Sequence, residues 1–230
     1  MKIAIHQPHY LPWLGYVAKW AAADRLILLD TVQYEKNGFQ NRNRIKTHSG
    51  PRWLTVPVQA RLGMPIHDVP IVEGDAWRRR HWATIAQEYA HAPCLPHFHD
   101  ELRELYEAKW TDLAAVALAS LRMLGRGLGI PTPVCLASEL GVAAGDPTRR
   151  LIELCRAAGG TTYLAGPDAT KYLDRNAFCD AGIEVVQQRY EHPEYGQLHG
   201  PFVPFLSALD ILLMHGDEAL PIIRAGDHWD

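Results

Sequence analysis

The sequence predicts an α/β fold in which a parallel sheet is flanked by helices and interrupted by a small β insertion and a helical middle segment. Three observations carry this. Residues 2–30 read as strand, helix and strand in too little space for anything but a βαβ unit, which makes the strands parallel. From about residue 133 the same alternation returns. Between the two, the apolar period changes twice, first to a short proline-flanked β element and then to long amphipathic helical patterns.

Taken in order, residues 2–6 are a short apolar run of a buried strand, and Trp13, Leu14, Val17, Ala18, Ala21 and Ala22 recur at helical spacing, predicting a helix from about Tyr10. Residues 25–30 are nearly all aliphatic and predict a second buried strand. From Thr31 to Thr47 the periodicity vanishes, and amides and cations dominate with Tyr34 and Phe39 among them, so a binding loop is expected there. Residues 53–58 predict a β element, with Pro57, Pro65 and Pro70 confining its surroundings to edges and turns. Helical patterns cover 77–89 and then about 99–128, where Leu102, Leu105, Leu113, Ala117, Leu121 and Leu124 share a face; Gly129 and Pro131 stop it.

A strand is predicted over 133–136, and Asp146-Pro147 opens a helix that Gly159-Gly160 ends. Residues 161–165 and 183–188 predict further strands, and Asp168 after Gly166-Pro167 is the expected N-cap of the helix between them. A helix over 205–214 closes the fold with Leu206, Leu209, Leu212 and Leu213 inward, and residues 227–230 are expected to fray. This alternation makes the sheet Rossmann-like. With 230 residues and 47% hydrophobic content, one α/β domain over 1–230 is expected, with 77–130 as a helical insertion or subdomain.

A net charge of −3 gives no global basic field, so nucleic acid is not the expected partner, an aminoacyl-tRNA donor excepted. Cys94, Cys135, Cys155 and Cys179 stand far apart without a Cys-x-x-Cys pair, which suits a reducing compartment. His6, Pro8 and His9 interrupt the only apolar start, so neither a signal peptide nor a membrane span is expected and the cytoplasm is the expected location. The oligomeric state stays open.

In a parallel sheet, ligands gather beyond the carboxyl ends of the strands. His6-Gln7-Pro8-His9 occupies that place for the first strand, and its two histidines can lean toward one point and donate to phosphate oxygens. The tetrapeptide resembles the His-x-Gly-His turn of nucleotidyltransferase-like Rossmann folds, in which paired histidines stabilise charge on the transferring α-phosphate. It departs at Pro8, which adds a ring and removes an N–H where glycine lets the backbone approach.

The second candidate stretch runs from Asp30 through Gln33, Lys36, Arg42, Asn43 and Arg44: guanidinium and ammonium groups suit a phosphate or carboxylate, and amides suit a sugar or amide. His81, on a partly apolar helix, either reaches the same cleft or is packed. His192, Tyr195 and Gln197 follow a strand end and either contact substrate or form a proline-ordered turn. Cys94, His97, His99 and Asp100 lack a second half-site, so no metal site is expected. Ser207 and Asp210 are expected to cap or bond within the core, since no nucleophile elbow accompanies them.

The blocks IHQPHYLPWLGY, LLDTVQYEKNGFQNRNRI, RWLTVPV, YLAG with the following YLD, and YEHPEYGQ through FVPFLSALDILLMHG are together similar to the WbqC-like protein family over nearly the whole chain. Asp168 departs, standing where a small residue is expected. The resemblance implies work in bacterial surface-polysaccharide or natural-product biosynthesis, on a sugar-linked or amine-bearing intermediate. The expected function is an ATP-dependent adenylate-forming ligase or an acyl or aminoacyl transferase making an amide. In it His6, His9, Lys36, Arg42 and Arg44 serve the chemistry, and Asp30, Gln33, Asn43, His81, His192, Tyr195 and Gln197 serve the substrate. ATP with Mg²⁺ is the expected cofactor pair, and no prosthetic group is expected. Two alternatives stand beside it: transfer from a pre-activated donor, and a non-catalytic protein that binds a nucleotide sugar or organises other enzymes.

Overall fold

The computed structural model describes residues 1–143, 145–169 and 173–230. Its six-stranded sheet runs, in chain numbering, β5-β2-β1-β6-β7-β8: β1 is Lys2–His6, β2 Arg25–Leu28, β5 Val134–Leu136, β6 Thr162–Ala165, β7 Glu184–Tyr190 and β8 Asp227–Trp229. All neighbours are parallel except β8, which returns antiparallel along β7. The expected fraying at 227–230 therefore does not occur; β8 finds a full strand partner, and Asp227 accepts from the buried Gln188 amide.

Alternation along the strands sorts the core into two. Ala4, Leu26, Leu28 and Leu164 face α1 (Leu14–Ala22), α4 (Leu113–Gly127), α7 (Ala208–His215) and α8 (Ala219–Ala225). Ile3, Ile5, Ile27, Tyr163 and Ala165 face α5 (Pro147–Ala157) and α6 (Arg175–Asp180). Such two-sided coverage is what near-continuous apolar strands require. The chain leaves β1 along one face through α1 and reaches its other neighbour, β6, through α5 on the opposite face, so the winding reverses between β1 and β6.

Several boundaries differ from the sequence reading for local reasons. α1 starts at Leu14, because Tyr10–Trp13 turn, with Leu11 at a positive φ of 47°. The last third of the expected loop is a strand: β3 (Arg42–Thr47) pairs antiparallel with β4 (Gly50–Thr55) in a separate hairpin. The long helix predicted over 99–128 is two, α3 (Leu95–Glu107) and α4, because residues 111–113 bond to the backbone of Val69 and Ile71 and Asp112 caps α4. α2 (Ala76–Glu88) and α3 share the core of α1 and α7. α6 is capped by Asp174, six residues beyond the expected Asp168; the start of the helix expected from Asp168, and Tyr172 of the YLD block, fall on residues 170–172, outside the described ones. α5 with its Asp146 cap and α7 with its Ser207 cap are as expected.

Candidate functional site

The reversal between β1 and β6 opens a crevice at the carboxyl ends of both strands, the usual ligand position in an open parallel sheet. Here it is a cavity of about 470 Å³ lined by His6 at the end of β1 and Gln7 after it, Gly166 and Asp168 beyond β6, Lys19 from α1, Glu35, and Arg150 from α5. A second cavity of about 850 Å³ lies against the hairpin, lined by Gln33, Lys36, Arg42 and Arg61 among others. Glu35 lines both, so the two adjoin across the segment 33–36. A hydrogen-bond chain stiffens that wall: Gln40 Nε2 donates to Gln7 Oε1 (2.8 Å), and Gln40 Oε1 accepts from the Glu35 N–H (2.9 Å).

His6 contacts His9 and Tyr16, with ring centroids 4.7 and 4.3 Å apart. Its Nδ1 lies 3.2 Å from the Gln7 carbonyl, which can only accept, so Nδ1 carries the proton and Nε2 is a bare acceptor. Burial, then the nearby Lys19, hold the His6 pKa well below the ordinary imidazole value and that of His9 down to about 3. Both rings are therefore neutral at pH 7. His9 lines neither cavity; it sits between Tyr16 and Phe39, its Nδ1 buried without a partner.

Arg42 and Arg44 lie on one face of the hairpin with Trp53, whose ring they cover at 4.4 and 5.6 Å. Arg42 borders the hairpin cavity with Lys36 and Gln33, whereas Arg44 lies outside the lining of both cavities and donates to the Phe205 carbonyl at 3.3 Å. The imidazoles and guanidinium groups that the sequence suggested would meet in one pocket thus do not: His6 lines the crevice, Arg42 the adjoining hairpin cavity, and His9 and Arg44 neither. Asn43 is turned inward, donating to the Leu11 carbonyl at 2.6 Å and accepting from the Arg44 N–H. Asp30 is wholly buried and accepts from the Ser138 N–H and hydroxyl.

The other expected substrate contacts sit in buried networks away from the linings. His81 pairs with the Tyr10 hydroxyl (3.0 Å), which meets Tyr106 (2.6 Å), and burial lowers its pKa to about 4. Gln197 accepts from Lys46 Nζ, whose other acceptors are the Gly200 and Pro201 carbonyls. Tyr195 faces the buried Asp210, which accepts from Tyr89 at 2.6 Å, and His192 stacks on Tyr195.

Sequence reasoning missed Lys19, Arg61 and Arg150. Lys19 had a signal: it is the one charged residue in the apolar run of α1. The two arginines had none, because their place depends on which distant segments meet. Among the described residues no helix is long and apolar enough to cross a membrane, and no group of three or more His, Cys, Asp or Glu side chains is placed to hold a metal ion.

The WbqC-like protein family matches over residues 7–222. An uncharacterized protein of Mycobacterium tuberculosis (strain ATCC 25618 / H37Rv), Rv1507c, is 36% identical over 227 residues, 97% of each chain. No solved structure matches. The chain belongs to the WbqC-like protein family.

Proposed function

We propose that this member of the WbqC-like family is a biosynthetic enzyme that joins an acyl donor to an amine, as an adenylate-forming ligase drawing on ATP or as an acyl or aminoacyl transferase. The observation that carries the reading is the pair of adjoining cavities with different linings. The hairpin cavity offers Lys36, Arg42 and Arg61, donors suited to phosphate or carboxylate oxygens, with the Trp53 face beneath Arg42. Its volume falls in the range of small-molecule sites and fits a nucleotide. The crevice between β1 and β6 sets acceptors beside its own cations Lys19 and Arg150: His6 Nε2 and the carboxylates of Glu35 and Asp168, suited to the N–H groups of an amine.

In this arrangement Lys36 and Arg42 hold the anionic donor, Gln33 orients it, and His6 receives the amine across the Glu35 wall. Magnesium would be bound by phosphate oxygens, which needs few protein ligands. ATP supplies a leaving group when it takes part; everything else is positioning by the chain's own groups. A sugar-linked amine is the acceptor class the family context favours.

The test is incubation with ATP, magnesium and panels of acids and amines, followed by AMP and pyrophosphate, alongside the same amines with acyl-CoA esters. Amide with AMP release supports the ligase, amide from the CoA ester alone supports the transferase, and amide from neither overturns both. Arg42→Ala should raise KM for the donor about tenfold, the worth of one charge-assisted contact.

A further inference from the structure

Lys19 has none of the roles just assigned, yet it lines the crevice. It belongs to the buried face of α1, is 3% exposed, and its Nζ reaches the carboxyl end of β1, donating to the Ile5 carbonyl at 3.3 Å. A methyl group placed on Gly166 would stand 3.6 Å from that nitrogen, so Nζ lies between the ends of β1 and β6 on the floor of the cavity.

An ammonium has three N–H groups to satisfy. The structure gives this one a single carbonyl and, among the described residues, no carboxylate at ion-pair distance. The titratable and charged groups around it are His6 and His9 from the first turn, Tyr16 on its own helix, Tyr163 on β6, Arg150 on α5, Glu35 and Asp168 on the cavity walls, and Asp227 on β8. Asp227 acts on it only from a distance. A buried amine so placed favours its neutral form. Burial lowers the Lys19 pKa to about 7, with Asp227 opposing.

We propose that Lys19 is the general base of the crevice, taking the surplus proton of a primary amine as that amine attacks the acyl carbon. This rests on the acyl-transfer reading above. The amine nitrogen bonds to the acyl carbon, the bond to the leaving group breaks with its electron pair going to that group, and one proton passes from the nitrogen to Lys19 Nζ. Lysine serves as a base only where its surroundings strip its charge, and a base is most effective when its pKa lies near the working pH. Glu35 and Asp168, on the lining of the same cavity, attract the amine, and His6 Nε2 accepts one of its remaining N–H groups.

Two measurements test this on the full chain. Carbon-13 NMR of ε-labelled lysine, assigned with Lys19→Arg, should show one lysine titrating near pH 7; a Lys19 midpoint near the ordinary lysine value overturns the proposal. With the donor and amine that give amide, Lys19→Met and Lys19→Arg should lower kcat on the order of 100-fold or more with KM for the donor unchanged. The same loss in Lys19→Ala should be partly restored by trimethylamine, a base that cannot end as an amide. Retained kcat in the variants, or loss without rescue in a folded Lys19→Ala, also overturns it. A wild type that makes no amide from any donor sinks the functional reading itself, whereas turnover with an indifferent Lys19 sinks only this role.

Discussion

Asp210 shows how one buried carboxyl sets a pH dependence for the whole chain. It is wholly enclosed, Oδ1 accepts from Tyr89, and Oδ2 has no hydrogen bond of ordinary geometry even though the Tyr195 hydroxyl faces it. Burial raises its pKa, and the hydrogen bonds and Lys46 only partly oppose this. A carboxyl whose pKa is higher folded than unfolded holds its proton more tightly in the native state. Its contribution is therefore fully present below the unfolded carboxylate value and is lost as pH rises through the folded one. Asp210→Asn keeps an oxygen for Tyr89 and carries no charge to bury. Urea unfolding of the two proteins between pH 4 and 8 should show the wild type losing stability relative to the variant as pH rises. A constant difference across that range would contradict the assignment.

The hairpin of β3 and β4 has no strand partner in the main sheet and depends on side-chain amides for its position. Asn43 spans from β3 to the Leu11 carbonyl at the strained turn after His9, and Asn41 reaches the Val56 carbonyl. Asn43→Ala leaves a buried carbonyl and the Arg44 N–H without these partners and should cost about 2 kcal/mol in urea unfolding. Amide exchange should quicken in β3 and β4 before it quickens in β1 and β6. Asn43 also marks the limit of what the residues alone disclose. Strands β1, β2 and β6 were legible because the middles of buried parallel strands are apolar, β7 only through Ile183, Val185 and Val186 around its start, and α5 because Asp146-Pro147 and Gly159-Gly160 bracket it. β3 was not legible, since it buries Asn43 and Ile45 on one face and a hydrogen-bonded Lys46 on the other, a mixture that shows no apolar alternation. The turn at His6 and the cations near residue 40 were recognisable as local chemistry. That they line two cavities, and that Gln197 serves Lys46, depends on contacts distant in sequence.

At the scale of the molecule, the central sheet is the common wall of both cores, so neither face can be lost without exposing the other's strands. The helices α2, α3 and α4 bury Trp77, Leu102, Leu105, Leu113, Leu121 and Leu124 in the same cluster that holds Tyr10, Leu14 and Leu209. A segment that completes a core in this way has little apolar surface to bury by itself and should not unfold as an independent unit. All seven tryptophans, Trp13, Trp20, Trp53, Trp77, Trp82, Trp110 and Trp229, lie outside the α5–α6 core, whereas backbone circular dichroism sees both cores. Tryptophan fluorescence and far-ultraviolet dichroism followed through urea should therefore trace one coincident transition if the sheet couples the two faces. A first transition that takes part of the helical signal together with part of the fluorescence, ahead of a second, would instead fit residues 77–130, which carry α2, α3 and α4 with Trp77, Trp82 and Trp110, melting as a subdomain. Neither cavity has a lining residue within 77–130, so both would then belong to the unit that remains folded.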